Sequence, residues 1–340
     1  MTELVATTTG VFPLPDWAKD RLGSLKGHQK EDLIDGGETG EIAEAYDEAR
    51  AAVADWQATA GLDRVVEGRL RWDDMLAHPL CVHDAVETRG IVRYYDNNNF
   101  YREPAVTGEL RFDGDLADDL DDLAALDGVA ESRQAVVPGP YTLADLATDE
   151  FYGDREEFLD AIAAFLTGEI RAFPECETLF VLEPSLVTNP PPDGLDERAS
   201  DAIDQVAGVT DADVVCHTYW GALSEKVHAH LLDADIDAVG YDFVTNHEDN
   251  LYNINEYGTK ESLALGLADS QNTAVEDGET IAERIEWVTE SVPAGEFETI
   301  YATTNTELFY LPVNRTKEKL GSLAEGVALA DPDADEEVDA

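Results

Sequence analysis

The sequence predicts an α/β protein that folds as a (β/α)₈ TIM barrel. Short β-rich runs recur eight times along the 340 residues, and amphipathic segments follow many of them. Strands that alternate with helices imply parallel pairing through right-handed crossovers, and eight such units in about 330 residues fit this barrel. No G-x-G-x-x-G motif follows a strand, which removes the main reason to prefer the alternative, an open doubly wound sheet.

Each predicted strand is a short apolar run bounded by polar or turn residues. In chain order the predicted strands are Leu4–Thr8, Leu62–Glu67, Gln134–Val137, Thr178–Leu182, Ala212–Thr218, Asp237–Phe243, Leu263–Leu267 and Thr299–Thr303. Apolar residues at helical spacing predict the connecting helices. These are Glu41–Thr59, Glu156–Ala172, Ala222–Asp233, Ile281–Ser291 and Thr316–Leu329.

An insertion is predicted between the second and third strands. The runs Ile91–Tyr101 and Val106–Phe112, separated by Glu103-Pro104, are typical of a β-hairpin that leaves the barrel. The hairpin therefore occupies about residues 91–112.

The remaining segments complete the predicted domain organisation. Asp113–Glu131 is rich in Asp and Ala and is predicted to be a solvated loop or helix, since it lacks the glycine and ligand spacing of an EF-hand. We expect one barrel domain over residues 1–330 and an acidic, disordered tail at 331–340.

The composition excludes several classes of partner. The 74 acidic and 22 basic residues give a formal net charge of −52, which predicts a solvated acidic surface suited to high salt. Nucleic-acid binding is disfavoured because phosphate contacts need clustered Lys and Arg. The chain has three cysteines, too few for a disulfide framework, and it has neither a signal peptide nor a long apolar run. We therefore expect a cytoplasmic protein of a high-salt cytosol, without membrane or nucleic-acid partners.

Polar and aromatic residues follow the predicted strands, where the active site of a barrel lies. The candidate substrate-binding residues are Phe12, Arg69, Arg71, Trp72, Asp74, Tyr141, Thr142, Glu183, Ser185, Tyr219, Trp220 and Asn305. The two neighbouring arginines can bind a carboxylate or phosphate in bidentate fashion, or can pair with local acids. The aromatic rings can stack on a flat ligand or fill the core.

Two turns among these residues allow a structural interpretation as well. Asp73 and Asp74 can cap a short helix that starts near Met75. The turn at Pro138-Gly139-Pro140 can bring backbone amides close to a ligand, or can simply precede a helix capped by Thr142.

A metal site is considered at Cys216 and His217, at the end of the fifth predicted strand. Neighbouring residues of a strand point to opposite faces, so only one of the two enters the barrel mouth. Zinc needs three or four ligands, and the other weak candidates are Asp242, Glu307 and His247. A packed thiol or a hydrogen-bonded histidine is the more common outcome. His228 and His230 lie in a helical pattern and are predicted to be surface residues.

Taken in order, several motifs make the chain resemble the cobalamin-independent methionine synthase family, including its short archaeal members, from about Thr7 to Leu323. The matching segments are Thr7-Thr-Thr-Gly-Val-Phe-Pro13, Gly61-Leu-Asp-Arg-Val-Val-Glu-Gly68 with Asp74-Met75, Tyr95-Asp-Asn-Asn-Asn-Phe-Tyr101, Gly139-Pro-Tyr-Thr142, Leu182-Glu-Pro-Ser185, and Asn305 to Pro312 with Lys319-Leu320. The resemblance implies a (β/α)₈ barrel and methyl transfer from a methyl-tetrahydrofolate or related donor to homocysteine. Zinc in that family binds the homocysteine thiol.

The chain departs from the family pattern at the residues that bind zinc and homocysteine. The family's zinc-binding H-x-C positions fall on Cys216 and Thr218, its glutamate ligand falls on Asp242, and its last cysteine falls near Leu308, with Glu307 beside it. The family's G-E glutamate is replaced by Arg69, and the first residue of its D-E-P-A motif by Leu182. We therefore expect that zinc has been lost.

The resemblance leads to three hypotheses. The first is a methyltransferase, or methyltransferase component, of methionine biosynthesis that uses a methyl-pterin as co-substrate and homocysteine as acceptor. The second is a non-catalytic, ligand-binding subunit that works beside a zinc-bearing methionine synthase paralogue. The third is a metal-free decarboxylase of the uroporphyrinogen type, whose polycarboxylate substrate would suit Arg69 and Arg71.

Overall fold

Parallel strands form a curved sheet at the centre of the molecule. The computed structural model describes residues 2–24, 40–94, 99–129, 132–292 and 297–331. Numbered along the chain, the strands are β1 (Glu3–Ala6), β2 (Val86–Arg93), β3 (Phe100–Val106), β4 (Gln134–Pro138), β5 (Thr148–Asp149), β6 (Thr178–Leu182), β7 (Asp213–His217), β8 (Ala238–Asp242), β9 (Ser262–Ala268) and β10 (Thr299–Thr304). Seven of them pair in the order β1-β10-β9-β8-β7-β6-β4, and each pair is parallel.

The segment predicted as the second strand lies between the two edges of this sheet. The Asp63 N–H donates to the Ala6 carbonyl at 3.0 Å on one side, and the Gln134 N–H donates to the Val65 carbonyl at 3.0 Å on the other. The segment thus closes the sheet into a barrel, as predicted, although it forms only an isolated bridge with Arg133 instead of a regular ladder. The physical reason is Gln57, whose side-chain amide binds both the N–H and the carbonyl of Val66.

Helices surround the barrel, as the alternating pattern predicted. The described residues form α1 (Asp16–Ser24), α2 (Gly40–Ala60), α3 (His78–Cys81), α4 (Asp115–Ala124), α5 (Pro140–Leu146), α6 (Arg155–Ala172), α7 (Ser185–Thr188), α8 (Leu195–Ala207), α9 (Glu225–Asp233), α10 (His247–Tyr257), α11 (Gly278–Ser291) and α12 (Val313–Ala330). The five predicted helices correspond to α2, α6, α9, α11 and α12. Their apolar faces pack against the outer face of the sheet, and a second cluster that includes Val5, Phe180, Val215, Ala264 and Tyr301 fills the barrel interior.

An antiparallel pair of strands lies between the second and third barrel strands. β2 pairs with β3 from Val86 opposite Val106 to Arg93 opposite Phe100. These bounds differ from the predicted ones, because Pro104 lies inside β3, opposite Thr88, instead of between two strands. Proline is tolerated there because the register shifts just after Thr88, where the ladder is already interrupted.

The predicted tail lies almost wholly outside the described residues, which end at Asp331. Within the described ranges, no helix combines the length and apolar character that crossing a bilayer requires.

Candidate functional site at the barrel mouth

Cys216 and His217 point to opposite faces of β7. The His217 ring lies inside the barrel, with its centroid 6.0 Å from that of Phe180 and 5.8 Å from that of Tyr219. Cys216 instead packs in the core between the sheet and the helices, where burial raises its thiol pKa well above the usual value. The thiol therefore lies away from the barrel mouth.

His217 is a neutral group of the barrel core. Its Nε2 lies 3.1 Å from the Asn305 carbonyl oxygen, and burial lowers the pKa of the imidazole to about 4. A Cβ atom at Gly240 would lie 2.1 Å from Nδ1, so this ring requires glycine on the neighbouring strand. These contacts show that His217 packs in the barrel core and forms a hydrogen bond there.

Asp242, at the end of β8, binds the loops around it. Its carboxylate accepts the N–H groups of Val244 and Thr245, both at 3.0 Å, and the Thr245 hydroxyl at 2.5 Å. It also accepts the Trp220 N–H at 3.2 Å, which helps to hold Trp220 at a φ of 67°. Asn305 Nδ2 lies 3.4 Å away.

The residues assigned from the sequence to the family's zinc positions do not fit a zinc site. Cys216 faces the helices, and the Thr218 hydroxyl donates to the Gly240 carbonyl at 2.9 Å. Asp242 is occupied by the loop contacts above, and Leu308 is a buried apolar residue. In the part of the chain that the structure describes, no three His, Cys, Asp or Glu residues are grouped to bind a metal.

Glu307 and Tyr219 form a buried pair at the mouth. The Tyr219 hydroxyl donates to Glu307 Oε1 at 2.7 Å, while Glu307 Oε2 is buried without a hydrogen-bond partner. Burial raises the pKa of the Glu307 carboxyl, against the opposing field of Arg69 and the tyrosine hydrogen bond. Glu307 is therefore an internal carboxyl with unused acceptor capacity.

Arg69 is almost fully buried beside this pair. Its Nη2 donates to the Thr9 carbonyl at 2.7 Å, and the guanidinium lies 4.8 Å from the centre of the Trp72 ring. Burial lowers the pKa of Arg69, opposed by the negative field of Glu307 and neighbouring groups. A small pocket, with a volume of about 30 Å³, is lined by Arg69 and Trp72, together with Gly10 and residues of β4 and α4.

Trp72 and Arg71 have established contacts in the chain. The Trp72 ring stacks on His78, with centroids 5.3 Å apart, and its Nε1 donates to Asp119 at 3.2 Å. The Arg71 guanidinium lies 5.4 Å from the centre of the Tyr46 ring. Of the two predicted arginines, Arg71 is the more accessible, with 21% of its side chain exposed.

Asp74 stabilises the loop that follows Trp72. Its Oδ1 accepts the N–H groups of Leu76 and Ala77 at 2.8 and 2.6 Å, and it also accepts the Tyr94 hydroxyl from the end of the β2–β3 insertion. These contacts lie within a loop: α3 begins only at His78 and has no side-chain cap, so the predicted helix cap near Met75 is wrong. Asp74 Oδ2 is buried without a hydrogen-bond partner.

The turn before α5 approaches a carboxylate of the protein itself. Glu183 accepts the N–H groups of Tyr141 at 2.9 Å and Thr142 at 2.8 Å, as well as the Thr142 hydroxyl at 2.7 Å. A Cβ atom at Gly139 would lie 2.1 Å from the Glu183 Cδ, so the turn requires glycine. Burial raises the pKa of Glu183 to about 7. Glu183 thus caps α5, and Ser185 reaches the same helix by donating to Asp145 at 2.9 Å.

The mouth brings together many of the predicted site residues. Tyr219, Trp220 and Asn305 lie there with Arg69 and Asp74, and Phe12 is buried nearby, with its N–H on the Gly68 carbonyl at 2.9 Å. Tyr141, Thr142, Glu183 and Ser185 form the separate α5 cap.

Other contacts at the mouth and around it were not anticipated from the sequence. They involve Thr9, Gly10, Tyr94 and Asp119, none of which was named as a candidate site residue. Thr9 and Gly10 lie in the matching segment Thr7–Pro13, and Tyr94 lies in the predicted hairpin run, whereas Asp119 carried no signal. The prediction that His228 is a surface residue is wrong: it is fully buried, with Nε2 2.9 Å from the Tyr241 hydroxyl. Its position in α9 faces the sheet, so helical periodicity alone misplaced it.

Comparison with known proteins identifies the family. The model described as "Cobalamin-independent synthase, N-terminal domain" matches residues 82–293. A protein named methionine synthase from Saccharolobus solfataricus is 24% identical over 330 residues, which cover 95% of this chain and 93% of the relative. The methionine synthase of Sulfolobus acidocaldarius is 23% identical, with 97% and 93% covered.

A solved structure shows the same fold. It is a B12-independent methionine synthase from Shewanella in complex with selenomethionine, with a TM-score of 0.79, 19% identity and 99% of both chains covered. The family model covers more than half of the 340 residues, and the chain therefore belongs to the cobalamin-independent methionine synthase family.

Proposed function

We propose that this protein is a methyltransferase, or a methyltransferase component, of methionine biosynthesis. The observation that carries the proposal is the alignment with archaeal proteins named methionine synthase, which covers 95% of this chain and 93% of the relative. The protein is therefore comparable to those relatives over nearly their whole length. The proposed reaction transfers a methyl group from a methyl-pterin donor to the sulfur of homocysteine.

The barrel mouth is the proposed binding region. Arg69 and Arg71 supply positive charge for the acidic groups of the substrates, and the partly exposed Trp220 supplies an aromatic face next to Tyr219, whose ring centroid is 4.8 Å away. Aromatic rings of this kind stack on flat heterocycles.

A partner-dependent form of this function is the second candidate. The nucleophile in methyl transfer to homocysteine is the thiolate, and within the described ranges no three His, Cys, Asp or Glu residues are grouped to bind the zinc that would stabilise it. In this form of the proposal, the barrel binds ligand while a zinc-bearing paralogue activates the thiol. Both forms place the protein in methionine biosynthesis, and we propose that it works in a high-salt cytosol.

Ligand binding and metal content test the proposal. Equilibrium dialysis with labelled methyltetrahydrofolate and labelled homocysteine should detect binding of at least one of them. Metal analysis should find far less than one zinc per chain, and adding zinc should not change the unfolding midpoint. Absence of binding to both ligands would contradict the function, whereas a stoichiometric zinc would contradict the partner-dependent form.

A further inference from the structure

A buried arginine without an ion pair lies at the barrel mouth. Arg69 is only 6% exposed, and its Nε–H is buried without a hydrogen-bond partner among the described residues. Its other contacts are with the carbonyl oxygens of Thr9 at 2.7 Å and Met75 at 3.4 Å. Carbonyl groups satisfy N–H donors but do not neutralise a full positive charge.

Neighbouring arginines differ from Arg69 in this respect. Arg50 lies 2.8 Å from Glu67, and Arg71 lies 3.8 Å from Asp47. Arg69 forms no ion pair with any described residue, although the chain contains 74 acidic residues. Arginine stays charged in proteins, and an isolated buried charge is strongly unfavourable. Because acidic residues are abundant in this chain, a shortage of them does not explain why the buried Arg69 lacks an ion pair.

Three carboxyls compensate the charge only from a distance. Glu307, Glu67 and Asp74 act on Arg69 through space, and Glu67 Oε2 accepts the backbone N–H of Arg69 at 2.5 Å. Glu307 and Asp74 each have one buried oxygen without a hydrogen-bond partner among the described residues, and burial raises the pKa of both carboxyls. The guanidinium thus lies near carboxyls that do not pair with it.

The backbone at Arg69 is also strained. Its φ is 50°, in the left-handed region that non-glycine residues rarely adopt. Strained backbone conformations persist only where the surrounding structure enforces them, and they cluster at active sites and ligand-binding sites. Here the strained residue directs its guanidinium beside Trp72 and Gly10, into the wall of the pocket.

We propose that Arg69 is the anion-binding residue of the barrel mouth and that it binds a carboxylate of the substrate. A carboxylate matches the planar edge of a guanidinium, whose Nε–H and remaining Nη–H groups can donate to its two oxygens. This inference rests on the proposed function, which offers two sources of the group: the carboxylate of homocysteine and the glutamate tail of the methyl-pterin.

Paired ligands distinguish the two sources. Homocysteine is compared with 3-aminopropanethiol, which keeps the thiol and the amine but lacks the carboxylate. Methyltetrahydrofolate is compared with the N-propylamide of methyltetrahydropteroate, which keeps the amide but lacks both carboxylates of the glutamate. The dissociation constant of each ligand is measured for the wild type, Arg69→Met and Arg69→Lys.

The expected result is a loss of affinity for the ligand that carries the carboxylate and not for its analogue. In R69M the carboxylate-bearing ligand of one pair should bind about 10- to 100-fold more weakly, as for a lost charged hydrogen bond, while its analogue binds as in the wild type. R69K retains the charge without the planar fork and should show a smaller loss. Arg64→Met is the matched control, since Arg64 lies on the same segment and donates to Thr178 at the opposite end of the barrel. It should bind every ligand normally.

Other outcomes would overturn the assignment. Unchanged binding in a folded R69M protein would contradict it, as would an equal loss for a ligand and its carboxylate-free analogue. If R69M does not fold, R69K decides by the same comparison. If the wild type binds neither homocysteine nor methyltetrahydrofolate, the proposed function fails, and the carboxylate assignment fails with it.

Discussion

The Tyr219 hydroxyl donates a 2.7 Å hydrogen bond to Glu307 Oε1, and the two side chains lie fully buried at the end of β7 and beyond β10. Because these strands belong to different parts of the barrel, the bond links the two loops across the mouth. It also holds a carboxyl whose second oxygen has no hydrogen-bond partner.

Removing the hydroxyl should destabilise the mouth. Tyr219→Phe leaves Glu307 Oε1 short of a donor in a buried setting, which costs about 1–3 kcal/mol of unfolding free energy. Urea unfolding of Y219F, Glu307→Met and the double variant measures the coupling, since each single change removes the hydrogen bond. We expect a coupling energy of at least about 0.5 kcal/mol; strictly additive losses would show that the bond contributes nothing.

Gly139 should not tolerate a side chain. In Gly139→Ala, the new Cβ would lie 2.1 Å from Glu183 Cδ, so the carboxylate must leave its position at the start of α5. Overpacking of this kind costs about 1–3 kcal/mol. Gly321→Ala in α12 is the matched control, because nothing lies within 4 Å of its Cβ, and it should stabilise the helix by about 0.5–1 kcal/mol. Equal unfolding midpoints for the two variants would contradict the account of the turn.

His217 should make stability fall in acid. Burial lowers its pKa from 6.5 to about 4, so between these values the folded state binds fewer protons than the unfolded state. The contribution of neutral His217 to the free energy of unfolding is complete above pH 6.5. It decreases by at most about 3 kcal/mol as the pH falls toward 4. Unfolding of His217→Gln over this range should show a flatter profile. Parallel profiles for the variant and the wild type would contradict the prediction.

Glu183 should have the opposite effect. Burial raises its pKa from 4.5 to about 7, so the folded state keeps a proton that the unfolded state has lost. Its contribution is largest below pH 4.5 and decreases as the pH rises to about 7. Glu183→Gln should remove this decline in denaturant midpoint; a decline that persists in the variant would have to arise from other groups.

Salt should stabilise the protein. With a net charge of −52, the acidic side chains repel one another in dilute buffer, and added salt screens that repulsion. The thermal midpoint should therefore rise steadily from dilute buffer to molar potassium chloride, and the protein should unfold on transfer to dilute buffer. A maximum of stability at low salt would contradict this expectation.

The sequence predicted the barrel because the signals of that fold are local. Apolar runs, helical periodicity and their alternation correctly placed β6, β7 and α6 within a few residues. The opposite orientation of Cys216 and His217 also followed from strand geometry alone.

The finer features depend on long-range contacts that a pattern does not contain. The side chain of Gln57 disrupts the second strand, and Glu183 occupies the turn that could otherwise have received a ligand. His228 was misplaced because its partner, Tyr241, lies on another element. Likewise, the sequence named Arg69 as a candidate, but only the structure places it in a buried position without an ion pair.

Methyl transfer itself is the most direct test of the proposed function. Labelled methyltetrahydrofolate and homocysteine are incubated with the purified protein, alone and together with a zinc-bearing methionine synthase paralogue, and labelled methionine is measured. We predict that labelled methionine forms and that its rate of formation depends on this protein, in at least one of the two mixtures. A rate that does not change when the protein is added to either mixture would contradict the proposed role in methionine biosynthesis.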